Sequence, residues 1–356
     1  MQRTGMRVMY WPNEPAHLYP EGAQSGGRLA FDGMALDGTI AELSTYSFLR
    51  ERARHASPDE FERAALEAVR AFAPDILFVQ HLVGSGIEEA FWTTLRREVR
   101  KMTIVYHEDD PFDRFSKRID RSTRAILPVA DLVLLSGLGD LAALFAANGA
   151  RNIGYMPSCF DEPRFARHDP TKALKQYDIV MIGSEGRRQR LKFAYLPGGR
   201  RRAKLATQLS NAFGSRFVLH GRGWAANPSA RGAIPFASQE AAIQSGRISA
   251  NWDHFDHIDY YFSDRLPISL AAGVPHVTTY HAGYDRLFGT CPGLYACASV
   301  KEAVDTCRWL LSRNDDALME EGLGARTWAF AHLEAQLVFR NGLEQATRVH
   351  RPVQAA

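Results

Sequence analysis

The sequence predicts an α/β chain folded as two halves, each built on a parallel sheet. Three observations lead there. Its 356 residues exceed one ordinary core and suit two domains of about 150–180 residues. Short apolar runs bounded by turn residues alternate with amphipathic stretches, the pattern of βα units. A proline-punctuated polar segment, 157–170, separates one such series from another.

In the first half the expected strands are Arg7–Trp11, Ile76–Gln80, Thr103–His107, Leu132–Ser136 and Ile153–Met156. Helical patterns fall at Pro58–Phe72, Gly86–Lys101, Phe115–Pro128 and Gly139–Asn148. Ser57 suits the N-cap of the first of these, Pro58 its first position, and Asp59 and Glu60 its positive end. The second half offers strands at Ile179–Ile182, Phe217–Leu219, Ile248–Asn251, His276–Thr279 and Leu294–Ala298. A short helix, Leu266–Ala272, has Pro267 in its first turn and Gly273 at its C-terminal cap. Ala325–Thr347 reads as one closing helix, with Phe330, Leu333 and Leu337 at helical spacing. The expected domains are 1–160, 171–325 and a final helical segment, 326–356, all within an architecture of two Rossmann-like halves whose sheets face a cleft. That cleft is the default ligand site.

Composition narrows the function. With 46% hydrophobic and 23% charged residues the chain belongs with soluble globular proteins. A net charge of +3 argues against a general polyanion binder, so no nucleic-acid partner is expected. The charge is nevertheless uneven: the 53 residues from Arg187 to Gln239 contain no Asp or Glu and eleven Lys and Arg. A one-signed field beside strand ends and glycine turns suits a small anion, and a nucleotide diphosphate is the natural candidate. Four scattered cysteines without a C-x-x-C pair read as reduced thiols. The chain enters a strand almost at once and has no long apolar run, so it is expected to be cytoplasmic, with a peripheral membrane contact left open. There is no G-x-S-x-G elbow, Walker A loop, H-E-x-x-H pair or G-x-G-x-x-G fingerprint.

Several short stretches offer chemistry. Gly183-Ser184-Glu185-Gly186-Arg187 follows a strand and is expected to open a basic helix, where free N–H groups cradle a phosphate; an ordinary tight turn is the plainer alternative. His220-Gly221-Arg222-Gly223-Trp224 turns sharply, aiming a cation and an indole at the cleft or packing Trp224 in the core. Pro235 and Phe236 end a loop whose free backbone edge suits a base. Asp264-Arg265 precedes an apolar helix whose N-terminus and arginine suit a diphosphate, unless the two residues form only a local ion pair. In the first half, His107-Glu108-Asp109-Asp110 closes a strand; there a histidine can orient a ligand or act as a base, and a carboxylate can accept a proton. Gly26-Gly27, in a loop after the first strand, either touches a ligand or merely turns the chain. Asp253-His-Phe-Asp-His257 lacks a further clustered ligand, so no metal is expected.

The order of these pieces resembles the GT-B glycosyltransferases, in particular the group 1, family 4-like branch and its CgeB-like (spore maturation) relatives. Ala130–Ser136, Asn148-Gly149 and Met156-Pro157 look like the end of that family's N-terminal domain. Asp178–Ser184, Leu219–Trp224 and Arg265–Pro275 look like its donor-binding domain. The resemblance implies a transferase of hexosyltransferase type that moves a sugar from a nucleotide-diphosphate donor to an acceptor, in carbohydrate biosynthesis, without cofactor or metal; a retaining outcome, which needs no protein base, stands beside an inverting one. Gly183, Arg187, Arg222 and Arg265 would contact the donor, and His107 would lie near the transferred sugar. The full donor-side set is Gly183, Ser184, Arg187, His220, Arg222, Trp224, Pro235, Phe236, Tyr261, Ser263, Asp264 and Arg265. His107, Glu108, Asp109 and Asp110 form the catalytic set, and Gly26 and Gly27 an acceptor or phosphate loop. The last helix would cross back to the first domain. Tyr260 and Ile268 stand where the family often has two glutamates. Neither accepts a hydrogen bond as a carboxylate does, which leaves a non-catalytic nucleotide-sugar or glycan binder as an alternative; a nucleotide-sugar epimerase on the same fold is another.

Overall fold

The computed structural model describes residues 5–16, 18–19, 24–99, 101–188 and 191–350, without the side chains of 187, 188 and 191–193. Two compact units divide the chain: one runs to Pro157 and resumes at Ala335, the other is Ser158–Glu334.

The first unit runs β1 (Arg7–Trp11), α1 (Gly26–Leu36), β2 (Glu42–Thr45), α2 (Phe48–Arg54), α3 (Pro58–Phe72), β3 (Ile76–Gln80), α4 (Glu89–Glu98), β4 (Thr103–Glu108), α5 (Arg121–Ile126), β5 (Leu132–Leu135), α6 (Asp140–Ala147) and β6 (Ile153–Tyr155). Its sheet is wholly parallel, in the order β2-β1-β3-β4-β5-β6. Residues of β3 and β4 are buried on both faces, as central parallel strands must be when helices cover them. Side-chain alternation along β1 explains the two-sided core: Tyr10 stacks on Phe31 of α1 at 4.2 Å, while Trp11 packs 5.9 Å from Trp92 of α4. At α3 the cap is as expected, with Ser57 accepting from the Glu60 amide at 3.2 Å.

Three expectations change here. Gly26 and Gly27 open α1 and do not form a loop: Ser25 caps the helix, and a Cβ on Gly27 would lie 2.3 Å from Tyr10 Oη, so the glycine lets helix and strand touch. The edge strand β2 and the short α2 carry too little apolar pattern to be read beforehand. Phe115–Pro128 is helical only over Arg121–Ile126, because Asp113 ties Phe115–Lys117 into a turn and Asp120 starts the helix by accepting from the Ser122 and Thr123 amides.

The second unit runs α7 (Glu162–Phe165), β7 (Tyr177–Ile182), β8 (Arg187–Arg188), β9 (Leu191–Tyr195), α8 (Gly199–Phe213), β10 (Phe217–His220), α9 (Gln239–Gln244), β11 (Gly246–Ala250), α10 (Arg265–Ala271), β12 (His276–Thr279), α11 (Tyr284–Phe288), β13 (Leu294–Cys297), α12 (Val300–Leu311) and α13 (Asp315–His332). Its main sheet is parallel, in the order β10-β7-β11-β12-β13. Two apolar clusters flank it, one joining α8 and α12 through Leu205, Leu209, Val304 and Leu310, the other joining α10 and α13 through Leu266, Leu270, Ala325 and Ala329. The basic helix expected at Arg187 does not start there. An antiparallel hairpin, β8–β9, intervenes, and α8 begins at Gly199.

The single closing helix is also two. After α13 the Leu333 carbonyl turns to accept from Phe160 N at 3.1 Å, which stops helical bonding. The following helix, α14 (Ala335–Val349), belongs to the first unit, where Phe339 packs against Tyr10, Phe31 and Phe78. Among the described residues no helix is long and apolar enough to cross a membrane.

Candidate functional site

In the second unit the chain leaves β7 toward β10 and leaves β11 in the opposite direction, toward β12. The carboxyl ends of β7 and β11 therefore flank the point where the winding reverses, the place where open parallel sheets hold ligands. Gly183–Gly186 leaves β7 at that point, and hydrogen bonds tie it to the loop after β10. Gly183 N donates to the His220 carbonyl at 2.8 Å, Trp224 Nε1 to the Gly183 carbonyl at 2.6 Å, and Glu185 N to the Arg222 carbonyl at 2.9 Å. Trp224 is thus a buried brace and does not offer its indole to a ligand. Arg222 is exposed, as is Ser184, and burial lowers the pKa of His220. The side chain of Arg187 lies outside the described residues.

Two arginines meet this loop. Arg202, from α8, is fully buried, its Nε donating to the Trp252 carbonyl and its Nη1 to the Ser184 carbonyl at 3.1 Å. Arg265 opens α10 and pairs with Asp264 at 2.9 Å, the local ion pair anticipated from sequence. Gly183 has φ +154°, and a Cβ there would lie 2.8 Å from Arg265 Nε and 3.3 Å from Arg202 Nη1. Both guanidinium groups consequently flank one glycine. Burial first, then the Arg265 charge, works against the proton on Arg202.

Beneath the loop lies His254, its Nε2 2.2 Å from where a Gly186 Cβ would be. Burial, then Arg202 and Arg265, pushes its pKa down to about 2, so the imidazole is neutral. Asp253, beside it, is a buried carboxylate accepting from Ser263 Oγ at 2.7 Å and Asn251 Nδ2 at 3.0 Å, with His281 Nε2 at 3.2 Å. Burial opposes its charge, but His281, Ser263 and Arg202 together hold it well below the usual carboxylate range. Asp253 and Ser263 thus fasten the ends of β11 and β12 to the entrance of α10. Tyr261 is buried with its ring edge on His281, while Pro235 and Phe236 sit on an exposed loop where the Arg164 guanidinium lies 3.5 Å over the Phe236 ring. Tyr260 takes φ +59° against Gly283, and Ile268 is buried in the α10–α13 core, so neither position presents a carboxylate.

In the first unit the winding reverses between β1 and β3. Here the histidine at the open end is His81. Its Nδ1 pairs with Glu108, lies 3.5 Å from Asp109 Oδ1, and its Nε2 lies 4.0 Å from Asp110 Oδ2. Burial works against its proton, yet the three carboxylates outweigh burial and push the pKa up to about 10. Glu108 is fully buried and also accepts from Tyr106 Oη and the Asp110 amide. Asp110 pairs with Lys117, and half-exposed Asp109 accepts from Gln80 Nε2 at 3.2 Å. His107 corrects the expectation for this strand. Its ring is 3% exposed, packed 6.3 Å from Phe78 and 5.8 Å from Phe339, and burial pulls its pKa down to about 4. Alternation along β4 sends His107 into the core and Glu108 to the opposite face.

In this unit His81 and Glu14 are the residues that sequence reasoning missed, as it missed Arg202 in the second unit. Both follow strand ends, the same signal that drew attention to His107. Glu14 is fully buried and accepts from Ser25 N at 3.0 Å, Ser25 Oγ at 3.1 Å and Ser47 Oγ at 2.9 Å, with Arg28 3.5 Å away. Just beyond, Gly26 opens α1 and Gly27 packs that helix on Tyr10 and Phe339. Among the described residues, one ligand atom each from His81, Glu108 and Asp109 falls within 4.8 Å of the others, but His81 Nδ1 is already engaged by Glu108.

No protein-family model and no curated protein sequence matches the chain. Solved structures do. A glycosyltransferase from Rickettsia africae matches with a TM-score of 0.60 at 10% identity, covering 98% of this chain and 99% of that one. Trehalose-6-phosphate synthase OtsA matches at 0.61 and 9%, over 98% and 99%. HepE of Anabaena, in complex with UDP and glucose, matches at 0.59 and 11%, over 96% and 100%. The fold is GT-B. Its two parallel sheets are those of the GT-B glycosyltransferases in these comparisons.

Proposed function

We propose that the protein is a glycosyltransferase that takes a sugar from a nucleotide-diphosphate donor, with the diphosphate at Gly183. The observation that carries this reading is the convergence of Arg202 and Arg265 on that glycine at the sheet's reversal point. Guanidinium groups pair bidentately with phosphoryl oxygens, and the missing side chain lets an anion approach the backbone. Arg202 is already fixed by two carbonyls, so its charge needs little rearrangement as negative charge builds on the departing diphosphate. HepE was crystallised with UDP-glucose, which supports a donor of this chemistry.

In the first unit Asp109 is the carboxylate best suited to take an acceptor proton in an inverting reaction. Glu108 is buried and saturated with donors, and Asp110 is held by Lys117. His81 keeps that group of carboxylates oriented. The order of its sequence pieces supports a CgeB-like relative within that fold.

Thermal-shift screening with UDP-, GDP-, dTDP- and CMP-sugars tests donor binding, because a ligand selective for the folded state raises its stability. One nucleotide-sugar should raise the melting temperature, and Arg265→Ala should remove the rise. A rise unchanged in Arg265→Ala defeats the assignment. The placement of Ile268 in the core favours a second reading, a non-catalytic nucleotide-sugar binder. Saturable binding with no sugar transfer across a broad acceptor panel would decide for it.

A further inference from the structure

We propose that Phe112–Arg124 of the first unit docks on an anionic phospholipid surface. The segment follows β4 and is built as a rigid display. Phe112 and Ile119 within it are buried, whereas Phe115 between them is 82% exposed. Asp113 fixes the turn, accepting from the amides of Phe115 at 2.7 Å and Lys117 at 3.1 Å and from both the amide and hydroxyl of Ser116. An aromatic ring is therefore held in water by local hydrogen bonds.

Around that ring the charge is one-sided. The segment carries five cations, Arg114, Lys117, Arg118, Arg121 and Arg124, against Asp113 and Asp120. Both acids are consumed by backbone amides and hydroxyls, Asp120 accepting from Ser122 N at 3.0 Å and Thr123 Oγ1 at 2.6 Å. Lys117 pairs with Asp110 and Arg121 with Glu88. Arg114, Arg118 and Arg124 are exposed and make no ion pair among the described residues.

One inserted ring gives weak adhesion, and arginines alone give only electrostatic attraction. Stable yet reversible attachment takes both, as here. A nucleic-acid surface would need further aromatic platforms along a basic groove, and the segment has one exposed ring. The inference does not depend on the sugar-transfer reading. It places the carboxyl edge of the first sheet, which this segment leaves at Asp110, next to a membrane.

Sedimentation with vesicles of phosphatidylcholine alone, and of phosphatidylcholine mixed with phosphatidylglycerol, tests it at low and high salt. The protein should bind the anionic vesicles at low salt and release at high salt. The double variant Arg114→Ser/Arg118→Ser should lose affinity on the order of tenfold or more, from about fivefold per charge, and Phe115→Ala several-fold. Trp309→Ala, an exposed aromatic of the second unit, should bind as the unaltered protein does. Equal thermal stability of the variants confirms that folding is intact. Indifference to anionic lipid, unchanged binding by the variants, or equal displacement by single-stranded DNA would overturn the proposal.

Discussion

Gly186→Ala probes the loop that organises the proposed donor site. Gly186 has φ +79°, and its new Cβ would lie 2.2 Å from His254 Nε2, 2.7 Å from Cδ2 and 2.8 Å from Cε1. All three atoms belong to one rigid ring, so no flexible tip can swing away. The left-handed backbone costs an alanine about 1–2 kcal/mol, and overpacking adds about 1–3 kcal/mol. Their sum, roughly 2–5 kcal/mol, corresponds to a fall of about 4–20 °C in the melting temperature of a unit this size. Urea unfolding followed by tryptophan fluorescence reports on the second unit through buried Trp224 and Trp252. The decisive comparison is the same substitution in a His254→Ala background. With the ring gone, only the backbone contribution of about 1–2 kcal/mol should remain, giving a coupling of about 1–3 kcal/mol. Equal costs in both backgrounds would refute the claim that His254 fills the space under Gly186.

Arg202→Met removes the donor to the Trp252 and Ser184 carbonyls and should destabilise the second unit by about 2–4 kcal/mol, with relief of repulsion at Arg265 offsetting only part. A urea midpoint equal to that of the unaltered protein would show that the buried guanidinium is structurally idle. The first unit should lose stability in alkali: His81 binds its proton more tightly folded, near 10, than its ordinary 6.5, so its stabilisation is complete below about pH 6.5 and vanishes as pH rises through 10. His81→Gln should flatten that alkaline limb, and a limb of unchanged slope would exclude His81 as its source. Acid acts through the opposite group: His107, His254 and His276 stay neutral when folded, with pKa values pushed by burial to about 4, 2 and 4, so stability should fall as pH drops below about 6.5. His107→Phe should weaken that acid limb, with pH-dependent melting as the measurement; an acid limb as steep as before would refute the role given to its burial.

Strand periodicity made the sheets legible. β1, β3 and β5 carry apolar runs that no helix pattern imitates, and Ser57 and Pro58 announced α3. What escaped depended on tertiary contact. Two glycines at the head of α1 look like a turn until Tyr10 is known to lie against Gly27. The break between α13 and α14 depends on Phe160, more than 170 residues upstream, capturing the Leu333 carbonyl. Strand ends are legible, but which side chain at an end faces outward is a one-residue question: on β4 His107 turns into the core and Glu108 to the opposite face, and the histidine at the open end, His81, follows β3.

The acid-free run from Arg187 to Gln239 was the strongest sequence signal, yet among the described residues its cations do not act together. Arg201 pairs with Asp256 and Arg216 with Asp178, carboxylates contributed from outside the run. Local composition therefore overstated the field, because folding supplied the missing acids. Arg202 is the exception: it is fully buried, and among the described residues it makes no ion pair, holding two carbonyls beside a second arginine. Burying a cation so is costly; the Asp253 and Asp264 carboxylates offset only part of that cost, and a bound anion would offset more. The informative arginine was thus distinguished by its place on the buried face of α8, where Leu205, Ala206 and Leu209 also lie, and charge counting along the chain could not have singled it out.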